Sequence, residues 1–169
     1  DLLKYTDEFE LDLKKKLSSF SYGQKKKFLI AFGLATNASL LVLDEPTNAL
    51  DIPSKSQFRK IMASCISDDR CIVISTHQVR DLENLIDPVV IIEKREIIFN
   101  QTVESIASRL VFGDTEDRPD AEIIYNAGIE GRKRGVMINN KGTESIVDLE
   151  ILFNAVIRQQ EKMKTIFNG

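Results

Sequence analysis

Two cysteines and one histidine are all that this chain of 169 residues holds of the side chains that most often make disulfides and metal sites. Cys65 and Cys71 fit neither a disulfide framework nor a zinc-ligand spacing. Both fall in strongly apolar patterns, so they are expected as buried free thiols in a reducing cytosol. No apolar run approaches the ~18 residues needed to cross a bilayer, and the start has no signal-peptide pattern. If a membrane matters to this protein, another chain or segment spans it. An excess of positive charge is also lacking. A net charge of −3 and a pI near 5.3 argue against general affinity for nucleic acid or anionic lipid. Internal repeats and low-complexity segments are absent. What is present is a 43% hydrophobic composition, enough for a sizeable core; a chain of this size buries roughly 70% of its unfolded surface.

Residues 1 to 19 are polar and charged. From Phe28 to Ala35 the chain is apolar and helix-favouring, ending near Asn37. Leu40 to Leu43, bounded by Ser39 and "DEP", reads as a fully buried strand. Phe58, Ile61, Met62, Cys65 and Ile66 then fall on one helix face, with Pro53 suited to the first turn. "CIVIST" is a second buried strand, "QVRDLENLI" a short amphipathic helix, and "PVVIIEKREIIF" two strands around a turn. Helix and strand thus alternate from residue 20 to 92, the order of a parallel sheet flanked by helices. Gly113 to Asp120 is charged, contains Gly and Pro, lacks apolar residues, and is expected as a linker. Beyond it, "AEIIYNAG" and "RGVMINN" read as strands. "DLEILFNAVI" reads as a helix capped by Asp148, with Leu149, Leu152, Phe153, Val156 and Ile157 on one face.

Three stretches carry chemistry. Asp44 and Glu45 follow "LLVL" at the carboxyl end of a parallel strand, where open sheets bind ligands. Consecutive strand residues point to opposite sides, so one carboxylate can hold Mg²⁺ while the other accepts a proton from water. In "FSYGQKKK", Ser21 and Gly23 open a helix, where free N–H groups and the helix dipole favour an anion. His77 follows the second buried strand and can donate to a phosphate or polarised water near Asp44 and Glu45. Each stretch alone has a bland explanation: solvated acids, an ordinary helix cap, a structural histidine.

Together, in this order and spacing, they resemble the ATP-binding cassette (ABC) ATPases. "FSYGQ" looks like the signature, "LLVLDEP" like Walker B, "NALD" like the D-loop and His77 like the H-loop switch. The resemblance covers about residues 1 to 112. It implies a P-loop NTPase-like α/β fold, incomplete here, with a small C-terminal α+β extension. Residues 1–38 would belong to the helical subdomain, 39–112 to the C-terminal part of the ATPase core, 113–120 to the linker and 121–169 to the extension. The cofactors implied are ATP and Mg²⁺. Asp44 would help hold Mg²⁺, Glu45 would deprotonate the attacking water, and His77 would contact the γ-phosphate. Ser21, Tyr22, Gly23 and Gln24 would touch ATP held by a second, head-to-tail ABC domain, and Asn48 to Asp51 would cross to that domain. A separately encoded transmembrane permease would be the other partner, with the chain peripheral on the cytoplasmic face of the inner or plasma membrane.

Phe20 and Tyr22 stand where the family usually has Leu and often Gly, while Ser21 and Gly23 are kept. "EKRE" lacks the Gly often found at that turn. The loop G-x-x-x-x-G-K-[ST] occurs nowhere. The chain is therefore expected to be the C-terminal part of a longer ATPase that binds ATP poorly alone. Two other functions are weighed. One is a soluble ABC ATPase acting on nucleic acid or ribosomes, which "STHQVRDLENLID" and the acidic charge disfavour. The other is a non-catalytic regulatory or dimerisation fragment, disfavoured by Glu45 and His77. Lys14–Lys16, Lys25–Lys27 and the Arg132–Arg134 cluster read as solvated charge.

Overall fold

The protein, seen in a computed structural model, is described over residues 2–82, 85–116, 122–128 and 133–168. It divides into two units, Asp1–Leu85 and Ile86–Gly169.

In the first unit, helix α1 spans Leu2–Glu8 and α2 spans Tyr22–Ala35. Ser21 starts α2 with a reciprocal cap. Its hydroxyl accepts from the Gln24 N–H at 3.3 Å, and the Gln24 Oε1 accepts from the Ser21 N–H at 2.9 Å. Asn37, at φ 52°, ends the helix in the left-handed conformation common just past a helix terminus. The Arg70 guanidinium donates to the last-turn carbonyls of Gly33 and Leu34, at 3.4 and 3.2 Å. Strand β1 (Leu40–Asp44), helix α3 (Ile52–Ser64) and strand β2 (Cys71–Ser75) form a β-α-β unit with the strands parallel, Leu40 opposite Cys71 and Asp44 opposite Ser75. Asp51 caps α3 by accepting from the Ser54 N–H at 2.9 Å, and Pro53 lies in its first turn. Phe9, Ile30, Leu34, Phe58 and Ile61 are almost wholly buried and make the centre of this unit.

Several expectations need correction. Neither β1 nor β2 is buried on both faces. Leu40, Val42 and Val73 are 57%, 62% and 45% exposed, on the face that also carries Cys71. Cys71 lies on this open face and is an exposed thiol, whereas Cys65, at the end of α3, is buried beside the Tyr5 hydroxyl. Ile66 lies past the end of α3 and is exposed, although its spacing placed it on the buried face. The stretch after His77 makes a single 3-10 turn, Val79–Leu82, with residues 83 and 84 of the expected helix outside the described residues.

In the second unit, β3 (Val89–Glu93) and β4 (Glu96–Gln101) form an antiparallel hairpin. The third strand of the expected alternation thus pairs with its chain neighbour, and the parallel sheet among the described residues has two strands. Helix α4 (Val103–Arg109) leads to β5 (Leu110–Asp114). That strand joins β6 (Ile123–Asn126) and β7 (Arg134–Ile138) in an antiparallel sheet of order β5-β7-β6. Gly113 and Asp114, expected in a linker, pair with Gly135 and Arg134, and the division of the chain falls at Leu85/Ile86 instead. A Cβ on Gly135 would lie 2.3 Å from the Tyr125 carbonyl oxygen, so this position in β7 has room only for glycine. Residues 117–120 of that stretch, and 131–132 of the basic cluster, lie outside the described residues. Helices α5 (Leu149–Arg158) and α6 (Gln160–Asn168) complete the unit. Asp148 caps α5 as expected, accepting from the Ile151 N–H at 3.0 Å. The buried face of α5 takes Ile151 and Ala155 and leaves Phe153 half exposed.

The β3–β4 turn places Lys94 and Arg95 at φ 50° and 71°, two left-handed non-glycine residues in a two-residue loop. Left-handed backbone costs roughly 1–2 kcal/mol for a side chain with a Cβ, and glycine returns roughly 0.4–1 kcal/mol through the unfolded chain. Arg95→Gly is therefore expected to stabilise the protein by roughly 0.5–1 kcal/mol. An upward shift of the urea midpoint with unchanged slope is the expected reading; an unchanged or lower midpoint refutes it.

Candidate functional site at the ends of the parallel strands

Parallel register brings together the residues that follow the two apolar runs. Asp44 stands opposite Ser75, whose hydroxyl donates to Asp44 Oδ1 at 2.5 Å. One residue further, Glu45 leaves β1 at φ 45° while its N–H still donates to the Ser75 carbonyl at 2.9 Å. That backbone turn directs the Glu45 side chain to the segment after β2. Thr76 Oγ1 donates to Glu45 Oε2 at 3.0 Å, and the His77 N–H donates to Oε1 at 3.0 Å. The His77 Nδ1 lies 2.6 Å from the same Oε1. Asp44, Glu45 and His77 thus meet as their order in the sequence implies. Glu45 keeps 28% of its side chain exposed and His77 71%, so both face solvent at the sheet end.

Partial burial pushes the Glu45 carboxyl upward, but the hydrogen bonds from the His77 ring, the Thr76 hydroxyl and the His77 N–H, with the His77 charge, outweigh it. The net result is a carboxyl held below its ordinary value.

The signature residues lie beside this cluster, in the same unit. The Lys26 ammonium donates to the Asp44 carbonyl at 3.3 Å. A Cβ on Gly23 would sit 3.2 Å from the Ala49 carbonyl oxygen, so Gly23 lets α2 approach the loop after β1. Ala49 itself is left-handed, at φ 65°. Ser21 and Gln24 spend their side-chain acceptors on each other's backbone, while Tyr22 is exposed. Asp51 is committed to capping α3, and the Ser54 side chain together with the Ser54 N–H holds its carboxyl below the ordinary value. Asn48 Oδ1 accepts from Gln78 Nε2 at 3.5 Å.

Ser75, Thr76 and Gln78 escaped the sequence reading. Their signal was present. "LLVLDE" and "CIVIST" are six-residue stretches whose pairing in phase sets two hydroxyls against two carboxylates. Gln78 ties this end of β2 to α3: its Oε1 accepts from Lys55 Nζ at 2.9 Å, and Lys55 is ion-paired with Asp81 at 2.7 Å.

A carboxyl held low in the folded state adds stability above its unfolded value, about pH 4.3, and loses it as pH falls through the lower folded value. Glu45→Gln is therefore expected to destabilise the chain by roughly 1 kcal/mol at pH 7. The gap between the two proteins should narrow as pH drops from 6 toward 3. Urea denaturation of both across that range measures it, and a gap independent of pH refutes the account.

Comparison with known proteins gives the following similarities. A family model described as "AAA domain, putative AbiEii toxin, Type IV TA system" matches residues 4–80. The chain is 37% identical over 83 residues to the high-affinity zinc uptake system ATP-binding protein ZnuC of Bacillus subtilis, covering 48% of this chain and 36% of that one. It is 30% identical over 94 residues to the ABC transporter ATP-binding protein NatA of the same organism, covering 56% and 38%. A solved ATP binding subunit of an ABC transporter superposes with a TM-score of 0.55 at 26% identity, over 61% of this chain and 44% of that chain. The chain spans between 29% and 38% of the length of the curated relatives first matched. Asp44, Glu45 and His77 are gathered at the ends of two parallel strands, Ser21–Gln24 open the adjacent helix, and over this part the chain is similar to the ATP-binding proteins of ABC transporters.

Proposed function

We propose that this chain is the C-terminal part of the nucleotide-binding domain of an ABC transporter ATPase, in which Asp44, Glu45 and His77 carry hydrolysis. The observation that carries this reading is the Glu45 carboxylate, with both oxygens engaged and a histidine ring on one of them, at the carboxyl ends of paired parallel strands. The glycine-rich phosphate loop is not in the chain, so the β- and γ-phosphates are held by sequence other than these residues, and the chain alone turns over little ATP.

The residues present fit a magnesium ion that arrives with the nucleotide. Mg²⁺ usually keeps several waters and takes one or two carboxylates plus substrate phosphates. Asp44, exposed and oriented through one oxygen by Ser75, suits such a site. When bound, the metal neutralises charge developing on the phosphoryl oxygens. Asp44 would hold it, largely through water. His77 turns from Glu45 to the γ-phosphate and donates to it. That movement removes the shortest contact on Glu45 Oε1 and raises the proton affinity of that oxygen, which then orients the attacking water and accepts its proton. The N–H groups that open α2, with Ser21, face ATP on a second, head-to-tail domain, and Asn48 to Asp51 cross to it. Closure of the pair on ATP and reopening after hydrolysis drive a separately encoded permease, which places the chain on the cytoplasmic face of the membrane. The extension after residue 120 belongs to the second unit.

The first test compares Mg-ATP binding and turnover by this chain with those of the longer protein that includes a phosphate loop. A silent chain beside an active longer protein supports the reading, whereas tight binding and turnover by the chain alone overturn it. In the longer protein, Glu45→Gln is expected to lower turnover by roughly 10²–10⁴-fold while leaving ATP affinity intact. His77→Ala should also lower turnover; an unchanged rate returns His77 to a structural role.

A further inference from the structure

We infer that Thr76 is a positioning residue for Glu45, the part of the site that keeps the base aimed once His77 has left it. The inference rests on the reading of Glu45 as the base.

The argument starts from where the hydroxyl proton of Thr76 must point. Thr76 Oγ1 lies 2.9 Å from the Gln78 N–H and accepts from it. With that acceptor position filled from the backbone, the hydroxyl has its own proton to place, and Glu45 Oε2 at 3.0 Å is the acceptor that takes it. The result is a donor of fixed direction. Its support is also fixed. Gln78 is held to α3 through Lys55, whose ion pair with Asp81 is mostly buried, and Thr76 directly follows β2.

Glu45 needs such a guide. It leaves β1 in the left-handed region at φ 45°, a conformation that costs a residue with a Cβ, and its side chain has free torsions beyond that point. The His77 ring and N–H both bear on Oε1. Turning the ring toward a phosphate strips Oε1 of its shortest contact, and the Thr76 hydroxyl on the other oxygen keeps the carboxylate plane in place. The division is one oxygen for orientation and one for chemistry. A general base misplaced by about 1 Å loses on the order of 10²-fold in rate. Ser75 stands in the same relation to Asp44, so the parallel register gives each carboxylate its own hydroxyl.

The experiment uses the full-length ATPase with Mg-ATP as the probe, reading kcat, KM and equilibrium ATP affinity. Thr76→Val keeps the shape and removes the hydroxyl. It is expected to lower kcat by roughly 10–100-fold with KM and ATP affinity within about twofold, the pattern of an interaction made for chemistry and not for binding. Thr76→Ser restores the donor and should recover kcat to within about threefold. In a Glu45→Gln background, Thr76→Val should cost nothing further, because there is no base left to aim. Should the valine variant not fold, Thr76→Ala, smaller and also without the hydroxyl, takes its place. Three results overturn the inference: wild-type kcat in Thr76→Val, a serine variant as slow as the valine one, or an equal slowing by Thr76→Val with and without Glu45. The underlying reading fails separately, if Glu45→Gln itself turns over normally.

Discussion

The in-phase parallel pairing of β1 with β2 is the constraint from which the rest of the site follows. Because Leu40 faces Cys71 and Asp44 faces Ser75, the chain leaves both strands at the same level. Two acids then confront two hydroxyls and a histidine. A slip by one residue would turn every side chain to the other face, putting Asp44 where Leu43 now packs and leaving Glu45 without Thr76 or His77. The helix that connects the strands is bound into the same arrangement. It begins at the Asp51 cap, immediately after the loop that carries Glu45, and its Lys55 reaches back to Gln78 beyond β2. The crossover thus ties together the loops at both strand ends.

Glu45 is where competing effects balance. Its backbone is in an unfavourable region and its carboxylate is partly withdrawn from water, yet hydrogen bonds from Thr76 and His77 outweigh the desolvation and hold its proton affinity low. A carboxylate in that condition is firmly placed but a weak proton acceptor. Its strength depends on a contact that can be removed, since the His77 ring is largely exposed and bears on one oxygen only. Residues that look like spare polar groups around it therefore divide into those that can leave and those that remain.

How much was legible in the sequence depended on whether the signal was chemical or came from covering surface. Asp44, Glu45 and His77 stood out only in combination: each alone has an ordinary structural use, and it was their order and spacing that resembled the ABC ATPases. Helix starts were readable from Ser21 and Asp148, whose side chains accept from first-turn N–H groups, whereas the cap that Asp51 makes on α3 was not foreseen. The two strands were misread as buried on both faces, because apolar letters report what a surface could pack against and not whether it is covered. The same limit hid the exposure of Cys71 and Ile66. Gly113 and Asp114 read as linker because the charged run that they open carries no apolar letters, although both pair with β7, opposite Gly135 and Arg134. Thr76 and Ser75 passed unnoticed because a hydroxyl at a strand end is ordinary until the register names its partner.

The half-open ribbon of β1 and β2 has one more consequence. Each strand pairs with a single neighbour among the described residues, and the outer face presents Leu40, Val42 and Val73 to solvent. "LLVL" and "CIVI" carry no charge and no proline, the usual guards of a strand edge. An uncharged strand edge of this kind is in general a template for pairing with further strands. Cover for that face protects the protein from aggregation as much as it completes a sheet.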